Sequence, residues 1–92
     1  MIRSFGNKRT RAIWLGERVA AFAGFRERAE RKLAIIDSAT DLETLRALPG
    51  NRFEALKGDR KGQYSIRIND QWRVCFRWDE GDAHDVEIVD YH

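Results

Sequence analysis

Apolar and polar residues change period once along this 92-residue chain, and that change divides it into a helical half and a strand half. Met1-Ile2-Arg3-Ser4-Phe5 alternates well enough for a short strand, which Gly6-Asn7 breaks. A first helix is expected over Thr10 to Ala21. Phe22, Phe25, Ala29, Leu33 and Ile36 then recur at three- and four-residue spacing, with Arg26, Glu27, Glu30, Arg31 and Lys32 between them. That is the pattern of an amphipathic helix laying one stripe on a core. Thr40-Asp41-Leu42-Glu43 has the capping-box form, with the Thr40 hydroxyl accepting from a first-turn amide and Glu43 reaching back. Leu42, Leu45 and Leu48 continue it as a short third helix that Pro49-Gly50 stops.

Beyond residue 51 the period is two. Tyr64, Ile66 and Ile68 alternate with Gln63, Ser65 and Arg67, and Trp72, Val74, Phe76 and Trp78 alternate with Arg73, Cys75 and Arg77. With Asn69-Asp70 as a two-residue turn, this is a hairpin with one apolar and one polar face. Gly81 marks the next turn, and Val86-Glu87-Ile88-Val89 begins a strand running to His92. The expected fold is α+β over residues 1–92 as one domain: an N-terminal strand, then two or three helices packed on one face of an antiparallel sheet, with a C-terminal three-strand meander. The aromatic stripe of the hairpin and Trp14 belong to the core. The opposite face, with Arg67, Arg73, Cys75 and Arg77, is expected to be open and basic.

Composition narrows the setting. A chain this short builds one core, and its longest apolar run, Val19 to Phe25, is seven residues against the ~20 of a membrane helix. No export signal is read, and no membrane partner. A single cysteine excludes an internal disulfide, and no Cys/His spacing suits zinc, so a reducing cytoplasm is expected and no metal or other cofactor. Net charge is only +2, but residues 1–36 carry nine basic and three acidic groups, residues 52–78 seven and three, and residues 79–92 six acids and no base. Gathered on one face, the cations would attract a polyanion such as nucleic acid; interleaved with the acids, they would form an ordinary solvated surface.

Three local features carry candidate chemistry. Leu56-Lys57-Gly58-Asp59-Arg60-Lys61-Gly62 places three cations in five residues next to glycines, a loop able to approach a phosphate but also an ordinary exposed turn. Trp72-Arg73 enters the second hairpin strand. Asp90-Tyr91-His92 offers a carboxylate, a phenol and an imidazole in succession.

Together with Ile2-Arg3-Ser4-Phe5, Ala34-x-x-Asp37-x-Ala39-Thr40 and Asn69-x-Gln71-Trp72-Arg73-x-x-Phe76, these segments resemble the HigB toxins within the RelE/ParE superfamily of bacterial toxin–antitoxin systems. The likeness spans nearly the whole chain. It implies a compact RelE-like fold and a ribosome-dependent, metal-free messenger-RNA endonuclease acting in the decoding site of the 70S ribosome. It also implies silencing by a HigA-like helix-turn-helix antitoxin, which would contact operator DNA on behalf of the pair. By position, Lys57 and Arg73 match phosphate-holding residues, and Asp90, Tyr91 and His92 match the terminal catalytic group. Arg60, Lys61, Arg67 and Arg77 are further RNA-binding candidates.

Such a cleavage needs a base for the 2′-hydroxyl, cations for the phosphorane and an acid for the leaving 5′ oxygen. His92 or Asp90 is assigned the proton transfers and Tyr91 substrate alignment, an imidazole with pKa near ~6.5 being the natural shuttle. One departure stands out: Glu54 occupies a position that is histidine in some relatives. Beside Lys57 and Arg73 its pKa should fall, making it a weaker base or an orienting group for an arginine. Strand alternation also puts Asp90 on the face of Ile88 rather than that of Tyr91, so the strand is expected to lose its pleat at the end. The alternatives are a ParE-like DNA gyrase inhibitor without nuclease activity, or a catalytically weak relative that only binds RNA and antitoxin.

Overall fold

In a computed structural model describing residues 1–90, three helices lie against one face of a four-stranded antiparallel sheet. The helices are α1 (Lys8–Trp14), α2 (Arg26–Ser38) and α3 (Leu42–Ala47). The strands are β1 (Glu54–Ala55), β2 (Gln63–Arg67), β3 (Trp72–Asp79) and β4 (Asp82–Asp90), adjacent in sequence order. No described helix is long and apolar enough to cross a membrane.

The first five residues form no strand of their own. They run parallel to β4 through two bridges, Ile2 with Ala83 and Phe5 with Val86, and the Ile2 amide donates to Asp37 Oδ1 at 2.9 Å near the end of α2. The first helix starts earlier and stops sooner than the expected Thr10–Ala21. Asn7 caps it, Oδ1 accepting from the Thr10 amide at 2.9 Å. At the other end, Gly16 adopts φ +87°, its amide donating to Ile13 and that of Glu17 to Ala12. This pair of closing bonds needs a left-handed residue, which glycine supplies at little cost.

Phe22 and Phe25 belong to a 3₁₀ turn, Ala20–Phe25, ahead of α2. Their rings pack on Trp72 with centroids 5.6 and 5.4 Å away. In α3 the cap sits one residue later than the capping box predicts. It is Asp41, not Thr40, whose carboxylate accepts from the Thr44 amide and hydroxyl at 2.8 and 2.9 Å.

The core between the layers contains Phe22, Ala29, Leu33, Ile36 and Leu45 from the helical side and Ile66, Val74, Phe76 and Ile88 from the sheet. Burial of such side chains is worth about 1.5–3 kcal/mol each and supplies the main drive for folding. Trp72, Trp78 and Trp14 pack against it half-buried, as the aromatic stripe predicts. The β2–β3 connection is longer than Asn69-Asp70 alone: Asn69 Oδ1 accepts from the Gln71 and Trp72 amides at 2.9 and 2.8 Å, closing a turn from Ile68 to Gln71. Glu80-Gly81, both at positive φ, makes the next turn.

β4 begins at Asp82 rather than Val86 and contains a bulge. It takes three steps from Glu87 to His84 where β3 takes two from Cys75 to Arg77, and Asp85 within the bulge has φ +52°. The extra residue reverses alternation, so Ala83, Val86 and Ile88 all face the core. Thr10 ties α1 to this strand: its Oγ1 accepts from the Ile88 amide at 2.8 Å and donates to Asn7 Oδ1 at 2.7 Å.

Candidate functional site

Strand register builds a polar row across the sheet face that the helices leave uncovered. Glu54 pairs with Ser65, Ser65 with Cys75, and Cys75 with Glu87. In the next row Arg67 pairs with Arg73 and Arg73 with Val89. Arg73 is sunk into this face, only 8% exposed. Its Nε donates to Ser65 Oγ at 2.8 Å, and one terminal nitrogen donates to the carbonyls of Arg52 and Ser65. The other terminal nitrogen lies 3.8 Å from Glu54 Oε1. A buried guanidinium is costly unless its donors are met; here Nε and one terminal nitrogen bond neutral oxygens, and a half-exposed carboxylate stands in ion-pair range of the other. The result is a fixed cation with a defined donor edge.

The expected open basic face is therefore corrected. Arg73 and Cys75 are buried, Arg67 is half-buried and paired with Asp70, and Arg77 is exposed beside Asp85 at 3.8 Å. The inward residues alternate correctly, but β1 and the 58–60 turn flank them. Arg60, from that 3₁₀ turn, donates to Glu87 Oε1 at 2.6 Å and Gln63 Oε1 at 3.0 Å. Gly6 packs closely here: a Cβ on it would lie 2.9 Å from Glu87 Oε2 and 3.0 Å from the Asp85 carbonyl.

Cys75 lies among these charges. Burial pushes its thiol up; Arg60 and Arg73 work against that shift, while Glu87 and Glu54 reinforce it. Full burial and a raised pKa both work against a reactive thiolate at this position.

Of the residues singled out from sequence, the fold brings Glu54 and Arg73 together, with Arg67 opposite Arg73 and Arg60 anchored to Glu87 in the neighbouring row. Lys57 and Lys61 bracket the 58–60 turn, both exposed. Arg77 sits with Asp85 toward the far hairpin end. Asp90 is not on the Arg73 face. It pairs with Trp72 and accepts from Gln71 Nε2 at 2.9 Å, so the pleat persists to Asp90 instead of breaking down. Tyr91 and His92 lie outside the described residues. Sequence reading missed Ser65 and Glu87. Ser65 was available from parity, lying eight residues before Arg73 on the same face, whereas Glu87 was hidden within an acidic block. Among the described residues no group of three or more His, Cys, Asp or Glu side chains is placed to share a metal ion.

Comparison with known proteins identifies the lineage. The profile of the RelE-like toxin of type II toxin–antitoxin system HigB matches residues 20–92. The chain belongs to the HigB-like toxin family. "Endoribonuclease HigB" of Proteus vulgaris is 33% identical over the full length of both chains. "Toxin HigB-1" of Vibrio cholerae is 53% identical over 53 residues, a stretch covering 58% of this chain and 56% of that toxin. In three dimensions the chain is similar to a chain of the YoeB–YefM complex from Staphylococcus aureus, with TM-score 0.58 and 17% identity over 100% of this chain and 98% of that one. This likeness supports the RelE-type α+β fold. The HigB match includes the whole polar sheet face and the 57–62 loop, and leaves outside it residues 1–19, which hold the segment bridged to β4, α1 and the turn after it. A toxin of a type II system has an antitoxin as its partner.

Proposed function

We propose that this HigB-like toxin is an endoribonuclease that cuts messenger RNA in the decoding site of the ribosome, using the polar sheet face around Arg73. The observation that carries the reading is the Arg73 guanidinium, held by Ser65 and the Arg52 carbonyl before any substrate arrives. A preorganised cation aimed at a phosphate lowers the barrier more than a flexible one, because its reorientation is already done.

In the proposed reaction the 2′ oxygen attacks the adjacent phosphorus as a base removes its proton, and the bond from phosphorus to the 5′ oxygen breaks as an acid protonates that oxygen. A 2′,3′-cyclic phosphate and a 5′-hydroxyl result. Arg73 and Lys57 hold the phosphate, Arg60 adds a second fixed guanidinium, and Glu54 orients Arg73 or accepts the first proton. His92 is the preferred proton shuttle with Tyr91 aligning the substrate. Asp90, in register with Trp72 and accepting from Gln71 Nε2, is the alternative to His92 for the proton transfers. The toxin acts in the cytoplasm and is silenced by a HigA-like helix-turn-helix antitoxin, through which the pair reaches operator DNA.

The test is purified toxin added to programmed 70S ribosomes. Messenger cut by the parent and left intact by R73A supports the reading. An intact messenger with the parent, or growth arrest that stops replication while translation continues, refutes it.

A further inference from the structure

α2 carries Arg28, Arg31 and Lys32 at one-, three- and four-residue spacing, which places them on one side of the helix. They line, with Gly50, Arg67 and Ile68, a hollow of about 270 Å³ that no carboxylate lines. A second hollow of about 490 Å³ shares Arg28 and Arg31 and adds Arg26, Asn69, Phe25 and one carboxylate, Glu27. What partners these cations have are mostly neutral. Lys32 Nζ donates to Asn51 Oδ1 at 2.7 Å and Arg28 to the Ile68 carbonyl at 3.5 Å, while Arg67 pairs with Asp70, whose side chain is 99% exposed. Burial, then Arg67, Arg28 and Arg31, push the Lys32 pKa down, as expected for a partly buried ammonium with like charges around it. Such crowding costs stability in the free protein and is relieved by a bound anion.

We propose that this α2 cleft is a second binding site, for the phosphodiester backbone of single-stranded RNA, continuing the track from Arg73 through Arg67 onto Arg28, Arg31 and Lys32. The proposal rests on the reading of the chain as an RNA-acting toxin. Two observations favour RNA over an acidic protein segment. Arg67, which lines the cleft, is the cross-strand partner of Arg73, so the cleft and the candidate site draw on neighbouring positions of β2 and β3. Its rim is also cationic and polar, and none of the exposed large hydrophobic residues Met1, Leu15 and Leu48 lines it, whereas protein interfaces bury an apolar centre. Guanidinium forks match phosphate oxygens in pairs.

The experiment measures binding of a fluorescent, 2′-O-methylated and hence uncleavable RNA 12-mer by anisotropy across a salt series. R28E/R31E is compared with the parent and with R11E/R18E, which changes net charge equally elsewhere on the surface. Arg28 and Arg31 are exposed, so the core is untouched, and circular dichroism checks the helix. R28E/R31E should bind at least tenfold more weakly, with a salt slope shallower by about 1.4, the loss of two phosphate contacts on a single strand. R28Q/R31Q should shift the same way by less, and R11E/R18E by under threefold. Equal loss in both charge-reversed variants, unchanged binding in R28E/R31E, or loss of poly-glutamate binding with RNA binding intact would overturn the proposal. The failure of the parent to cut messenger on ribosomes, with the oligonucleotide result as expected, would remove the nuclease reading and leave the cleft standing.

Discussion

Thr10 offers a test of how the helical layer holds the strand that leads to Asp90. The side chain is fully buried, its hydroxyl accepts from the Ile88 amide at 2.8 Å and donates to the α1 cap Asn7 at 2.7 Å. Thr10→Val replaces the hydroxyl with a methyl of similar volume. The Ile88 amide is then buried with no acceptor from residue 10, a loss of about 1–3 kcal/mol, and the bond to Asn7 goes too, roughly another 0.5–1.5 kcal/mol. A total of about 2–3 kcal/mol in a domain of this size lowers Tm by roughly 10–20 °C. Thr10→Ser keeps the hydroxyl and removes one methyl, about 0.8 kcal/mol. Thermal unfolding followed by circular dichroism should therefore rank the parent above Thr10→Ser and Thr10→Ser above Thr10→Val, with hydrogen exchange at Ile88 faster in the valine variant. If shape rather than hydrogen bonding governs this position, the two variants exchange places. That reversal, or a valine shift below 3 °C, refutes the argument.

Glu87→Ala removes the 2.6 Å partner of Arg60; it should cost roughly 1 kcal/mol in urea unfolding and lower messenger cleavage about tenfold as Arg60 loses its place, with Glu87→Gln recovering part of both. Cleavage unchanged in Glu87→Ala would separate Arg60 from the reaction. Cys75 is buried and its thiol pushed up, so a thiol-reactive disulfide reagent should label it far more slowly in the native protein than in urea at the same pH; equal rates would mean that the sheet face opens freely. Hydrogen bonds from the Thr44 amide and hydroxyl hold the Asp41 carboxyl below its usual range. A depressed folded-state pKa stabilises fully above the unfolded value of about 3.9 and is lost as pH falls through the folded one. Asp41→Ala should therefore lower Tm at pH 7, by a gap that narrows as pH drops below 4; a gap constant down to pH 2 would refute the charged cap.

Much of this molecule could be read from local pattern, and the exceptions share a cause. The α2 stripe of Ala29, Leu33 and Ile36 and the hairpin stripe of Val74 and Phe76 are buried as their periods require, because each element must hide one face. The end of α1 was readable in principle from Gly16 but was overridden by continuing helix-like composition. β1, two residues long, is too short for any alternation to register, and the β4 bulge reverses the parity on which strand reading depends. The candidate site shows the same division. Lys57, Arg60 and Arg73 stand out in sequence by charge and motif, but Ser65 and Glu87 act through partners eight and twenty-seven residues away, and only pairing of the strands reveals them.

The sequence by itself determined the layer that each segment would form and the chemistry available to it, since period and side-chain type are local properties. Tertiary structure alone decided which charges are expressed. The net +2 conceals one guanidinium sunk among neutral oxygens beside Glu54, one held in a turn by a carboxylate of β4, and a cluster of cations around α2 whose smaller hollow no carboxylate lines. Charge acts through distance and burial, and neither is written along a chain.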